Sequence, residues 1–118
     1  MKWGHAHEVN GVEKLLYVVL TWVLTLSDPL DRWIEEIVSD EGEMGGDPGW
    51  SIERISAADG SVHYKVWANP EVSGIERDEE IYGQDVFNSA LRELLISYAE
   101  RFPDRCKEAY DLIERCGL

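Results

Sequence analysis

At 118 residues the chain is one domain by length, able to bury about two-thirds of the surface of its unfolded state. Its 44% hydrophobic content and five Trp exclude a disordered segment. A net charge of −13 argues against nucleic acid and anionic membranes as partners, because both are bound through Lys and Arg. The charge is also segregated: between Asp28 and Glu80, fifteen Asp/Glu face only Arg32, Arg54, Lys65 and Arg77.

Residues 11–26 form the first element. Leu15, Leu16, Val19, Trp22, Val23 and Leu26 follow helical spacing with apolar residues on the other side too, as in a buried helix. The β-branched residues Val18, Val19, Thr21, Val23 and Thr25 keep a strand as the alternative. The apolar run Leu15–Leu26 falls short of the roughly twenty residues that a membrane span needs. Glu8, Asn10 and Glu13 interrupt any signal-peptide pattern, so a cytoplasmic protein is expected.

Asp28 as N-cap and Pro29 as first residue open a second helix. Its apolar face is Leu30, Trp33, Ile34, Ile37 and Val38, and Asp31, Glu35 and Glu36 make the other side acidic. Glycine and proline mark 40–49 as a loop. Trp50, Ile52 and Ile55 mark a strand, joined through Asp59-Gly60, a type I′ hairpin signal, to a second strand. There Val62, Tyr64, Val66 and Ala68 share one face, and His63, Lys65 and Trp67 the other.

Asn69-Pro70 breaks that strand, and a third is predicted over Ile75–Tyr82. Alternation puts Ile75, Arg77, Glu79 and Ile81 on one side and Glu76, Asp78, Glu80 and Tyr82 on the other. Unpaired carboxylates are too costly for a core, so the latter face is solvated or meets cations. Gly83 ends the strand and Asp85 caps a long helix carrying Val86, Phe87, Ala90, Leu91, Leu94, Leu95, Tyr98 and Phe102. Pro103 opens the last helix, with Cys106, Ala109, Tyr110 and Ile113, and Gly117 closes it. Cys106 and Cys116 lie about 15 Å apart along that helix, too far for a disulfide. The expected fold is a single α+β domain over 1–118: a three-stranded antiparallel meander with helices packed on one face, in the order ααβββαα.

The candidate chemistry is sparse. His5-Ala6-His7 lacks the further ligands a metal site needs, whether Glu8 or His63 is added. Asp40, Glu41, Glu43 and Asp47 alternate with glycine, but the calcium-loop glycine and its terminal bidentate Glu are missing. There is no Gly-x-Ser-x-Gly, no Cys beside a His, and no glycine-rich phosphate loop after a strand. The carboxylates cluster with one another rather than singly among aromatics, so neither catalysis, a cofactor nor a metal is expected. Segregated charge of this kind steers a basic partner.

The stretch Ile81-Tyr82-Gly83-Gln84-Asp85, leading into Phe87, Ala90, Leu91, Leu94 and Leu95, resembles the small acidic immunity proteins of bacterial toxin systems, of the contact-dependent growth inhibition type. That resemblance implies one-to-one binding of a cognate toxin domain, often a basic nuclease, with its active site or nucleic-acid groove blocked. On this reading Asp40, Glu41, Glu43 and Asp47 supply loop contacts, and Glu76, Asp78, Glu79 and Glu80 strand contacts, to Lys and Arg of the toxin. Trp67 and Tyr82, where exposed, are the aromatic anchors. A monomer is expected. The alternative is a dimeric acidic secretion chaperone that binds an effector segment through an apolar helix and an edge strand.

Overall fold

The computed structural model describes residues 2–26, 31–39, 42–46, 49–75 and 78–118. The first element is a helix, α1 (Glu13–Leu26), in which Leu15 to Leu20, Val23 and Leu24 are all buried. Burial on most of its circumference explains its β-branched content, since no polar stripe is needed. Thr21 and Thr25 satisfy their hydroxyls within the helix, donating to the carbonyls of Tyr17 at 2.7 Å and Thr21 at 2.8 Å. Helix α2 (Asp31–Ser39) buries Ile34 and Ile37 and exposes Glu36. The predicted cap, Asp28 with Pro29, lies outside the described residues.

The sheet has four strands, not three, all antiparallel and in chain order: β1 (Gly42–Gly46), β2 (Trp50–Ser56), β3 (Val62–Ala68) and β4 (Glu79–Gly83). The expected loop at 40–49 therefore contains an edge strand. Its glycines have a packing reason. A Cβ on Gly45 would sit 2.7 Å from the Trp50 carbonyl oxygen, and one on Gly46 would sit 3.4 Å from the Trp50 indole. Glycine admits the close approach of β1 to β2.

The β2–β3 connection is longer than a two-residue type I′ turn. Gly60 N–H donates to Ala57 O at 3.0 Å, and only Gly60, at φ 87°, is left-handed there. This is a type I turn followed by a left-handed glycine. The Asp59 carboxylate accepts from Ser61 N–H at 2.9 Å and its hydroxyl at 2.6 Å, and these bonds hold its pKa below the usual carboxylate value. After β3, Asn69 Oδ1 accepts from Glu71 N–H and caps a single helical turn, α3 (Pro70–Ser73), so β4 begins later than expected. Helix α4 (Gln84–Arg101) takes Gly83, not Asp85, as N-cap, and Asp85 instead lies in the first turn, where its charge suits the helix dipole. A 3₁₀ turn at Pro103–Arg105 leads to α5 (Cys106–Arg115).

Tyr64, Val66 and Ala68 on β3, with Trp50 and Ile52 on β2, form the buried face of the sheet. Helices α1 and α4 pack on β3, α2 packs on β2, and α5 packs on α4. Tyr64 stacks on Phe87 of α4, with ring centroids 3.8 Å apart and planes 11° from parallel. Arg115 of α5 is ion-paired with Glu35 of α2 and, at 2.8 Å, with Asp111. The N-terminal segment is packed rather than loose. Trp3 meets Tyr98 edge-on at 5.1 Å, Ala6 is buried, and His7 Nε2 donates to Ser73 O at 2.9 Å. No helix among the described residues is long and apolar enough to cross a membrane. The α+β class holds, with the helices on one face.

Among the described residues two buried polar atoms, Tyr64 Oη and Arg54 Nε, have no hydrogen-bond partner. Losing an unsatisfied hydroxyl removes a desolvation penalty, so Tyr64→Phe is expected to hold or raise stability, by up to about 1 kcal/mol. Leu91→Ala, at a fully buried position, is expected to cost about 2–5 kcal/mol. Urea unfolding of both variants checks this; a clear loss on Tyr64→Phe contradicts it.

Candidate functional site

The uncovered sheet face is set by strand alternation. Because Tyr64, Val66 and Ala68 point at the helices, His63, Lys65 and Trp67 point away from them. Register then places their neighbours. Lys65 lies between Glu53 of β2 and Ile81 of β4, and Glu53 faces Glu43 of β1. Trp67 lies between Ser51 and Glu79, and His63 between Ile55 and Gly83. Among the described residues the face thus carries three carboxylates and one ammonium, with Trp67, Ile55 and Ile81 as separate apolar side chains among them. Trp67 and Ile55 are half-buried by neighbouring strands and stand apart from the core, and Ile81 is 55% exposed.

The charges are unbalanced. Lys65 Nζ binds Glu79 Oε1 at 2.9 Å, and both side chains remain solvent-exposed. The Glu79 carboxylate raises the Lys65 pKa, first by hydrogen bonding and then by charge, with Glu53 and Glu43 adding smaller contributions. Glu43 and Glu53 sit directly opposite one another. Like charges so placed repel, and one lysine already engaged by Glu79 offsets only part of that. A cation arriving over Glu43 and Glu53 relieves the repulsion.

Of the predicted site residues, Glu43, Trp67 and Glu79 come together here. Asp78 is exposed just before β4, and its backbone carbonyl accepts from Ala68 N–H at 2.9 Å. Glu80, expected on a solvated face, instead projects to the helix side of the sheet and is half-buried, because register sets it opposite buried Val66. Tyr82 is not an exposed anchor. Register sets it opposite Tyr64 on the buried face, where it is 4% exposed and donates its hydroxyl to Val12 O. Asp40, Glu41, Asp47 and Glu76 lie outside the described residues. Glu53, Lys65, Ile55 and Ile81 were missed as site residues. Pairing Glu53 with Lys65 across the Asp59-Gly60 hairpin was the signal that could have found the first two.

The helix side offers less chemistry. A depression of about 420 Å³ on α4 is lined by Ser89, Arg92, Glu93, Ile96, Ser97 and Glu100. Beside it the Tyr17 hydroxyl donates to Glu93 Oε2 at 2.6 Å, which lowers the Glu93 pKa. Burial first, then that bond and the Glu93 charge, push the Tyr17 hydroxyl pKa well up. Among the described residues no group of His, Cys, Asp and Glu is arranged to hold a metal; His5 instead pairs with Glu8 at 2.7 Å.

Glu79→Gln is expected to return the Lys65 pKa toward its ordinary value near 10.5. The folded state holds the Lys65 proton more tightly than the unfolded state. Its contribution to stability is therefore complete below about pH 10 and disappears as pH rises through the raised folded value. NMR titration of the lysine side chain reads this, and an unchanged Lys65 titration in the variant contradicts it.

No protein-family model, curated protein or solved structure matches this chain.

Proposed function

We propose that this chain is an immunity-type inhibitor: a monomer that captures one basic toxin domain, of nuclease type, on the open face of its sheet and blocks it one-to-one in the cytoplasm. It performs no catalysis of its own and uses no cofactor. The observation that carries this reading is the cross-strand pair Glu43 and Glu53, two like charges held opposite each other on a face whose lysine is already engaged by Glu79. Nothing in the core asks for that pair, and it is best relieved by Lys or Arg from outside.

Three further properties support it. The face lies on strands whose other side is packed under helices, so binding requires little reordering and its cost in entropy is small. Trp67 stands half-buried amid polar neighbours, the setting in which an aromatic residue anchors an interface. The net charge of −13 draws a basic domain in and repels a second copy and nucleic acid alike.

The test compares the wild-type chain with Glu43→Lys/Glu53→Lys and with Trp67→Ala, each immobilised and offered lysate of the source cells. Wild type should retain a basic domain, one per chain, that is toxic when expressed alone and harmless when co-expressed with this chain. The double variant should lose it while unfolding at the same temperature. Trp67→Ala should weaken binding about 30-fold, an anchor's worth of roughly 2 kcal/mol. Raising salt should slow association more than it speeds dissociation. Equal retention by wild type and the double variant contradicts the assignment of the surface. A retained unfolded segment on a dimer of this chain contradicts the function.

A further inference from the structure

Strand β4 ends the sheet, pairing with β3 on one side only among the described residues. Ala68 N–H donates to Asp78 O at 2.9 Å, and the register pairs Val66 with Glu80 and Tyr64 with Tyr82. Hydrogen-bonded and non-hydrogen-bonded pairs alternate in an antiparallel ladder, so residues 78, 80 and 82 turn their backbone groups toward β3. Glu79 and Ile81 turn theirs the other way, along the outer edge. The Ile81 amide agrees with this: it donates to the carboxylate of the preceding residue, Glu80 Oε1, at 3.2 Å. One edge donor is thus held by an acid of the same strand.

We propose that this edge takes a fifth strand, an extended segment of the partner that carries Lys or Arg, and that Glu80 holds the Ile81 amide until a cation of that segment draws its carboxylate away. The inference rests on the reading of a basic protein partner and adds the manner of its docking. Charge selects the occupant. Asp78, Glu79 and Glu80 lie at one end of the edge and Asp85 just past the other, which suits a basic strand. A second copy of this chain would bring −13 against −13. Ile81, 55% exposed at the middle of the strand, offers an apolar contact to the side chain set beside it on the same face of the incoming segment. The edge is also continuous with the open face, because Glu79 and Ile81 belong to both.

The test adds a synthetic peptide of about ten residues, alternating Arg and Val, to the isotope-labelled full chain and follows amide shifts and hydrogen exchange. The amides of Glu79 and Ile81 should slow by about tenfold or more in exchange. A peptide of the same charge with alternate amides N-methylated should lose that protection. An alternating Asp/Val peptide should not bind. Glu80→Gln keeps an acceptor for the Ile81 amide but removes the charge, and should weaken capture of the Arg/Val peptide with the fold intact. Shifts confined to Glu43, Glu53, Lys65 and Trp67, with no protection of Ile81, would overturn the edge inference while leaving the open face as the binding surface. Binding of the acidic peptide, or of neither peptide anywhere, would overturn it together with the basic-partner reading.

Discussion

The alternation of side chains along Val62–Ala68 divides this molecule in two. Tyr64, Val66 and Ala68 are fully buried beneath helices, and Tyr64 stacks on Phe87 of α4. With those three fixed inward, Lys65 and Trp67 have only the opposite side to occupy. A slip of one residue in the register would bury Lys65 and expose Tyr64, at a cost no surface contact could offset. Core packing thus determines where the side chains of the open face lie, and with what precision. The two long helices that complete the core, α1 and α4, are both on the buried side, and among the described residues the open face is formed by strands.

Charge does the rest. Cross-strand neighbours on a sheet are held close, and here the register brings Glu43 to Glu53 and Glu53 to Lys65. On helix α5 and the turn before it acids and bases are paired locally, as Arg115 with Asp111 and Arg105 with Glu108, so those surfaces are close to neutral. The open face differs in having, among the described residues, three carboxylates to one ammonium. It pairs that excess with an aromatic and two aliphatic side chains, Trp67, Ile55 and Ile81. Apolar groups ringed by like charge are poor at closing on themselves and well suited to a basic surface that brings its own apolar centre.

Much of this was legible in the sequence. The helical spacing of Leu15 to Leu26 and of Phe87 to Tyr98, and the two faces of Val62–Ala68, are properties of local pattern. What escaped depends on contacts between distant residues. Strand β1 reads as a glycine loop because its glycines answer to the Trp50 carbonyl and indole, not to local propensity. The turn at Asp59-Gly60 carries the dipeptide of a tight hairpin, yet Asp59 stays at negative φ and uses its carboxylate on Ser61 instead. Alternation separated Glu79 from Tyr82 correctly, but the carboxylates beside Tyr82 made its side read as the solvated one, and it is the inward one. Only the pairing with Tyr64 decides that, and it buries the ring expected to be an anchor. Of the candidate site, Glu43, Trp67 and Glu79 were visible as residue types. Glu53 and Lys65 gain their meaning from register.

The most direct test of the open face as the binding surface is hydroxyl-radical labelling of the chain alone and with its bound partner. Trp67 is the reporter for the open face, and Tyr110, 51% exposed on α5, is the control on the helix side. The account predicts that partner binding suppresses labelling of Trp67 and leaves Tyr110 unchanged. Protection of Tyr110 with Trp67 still labelled would place the interface on the helices and contradict it.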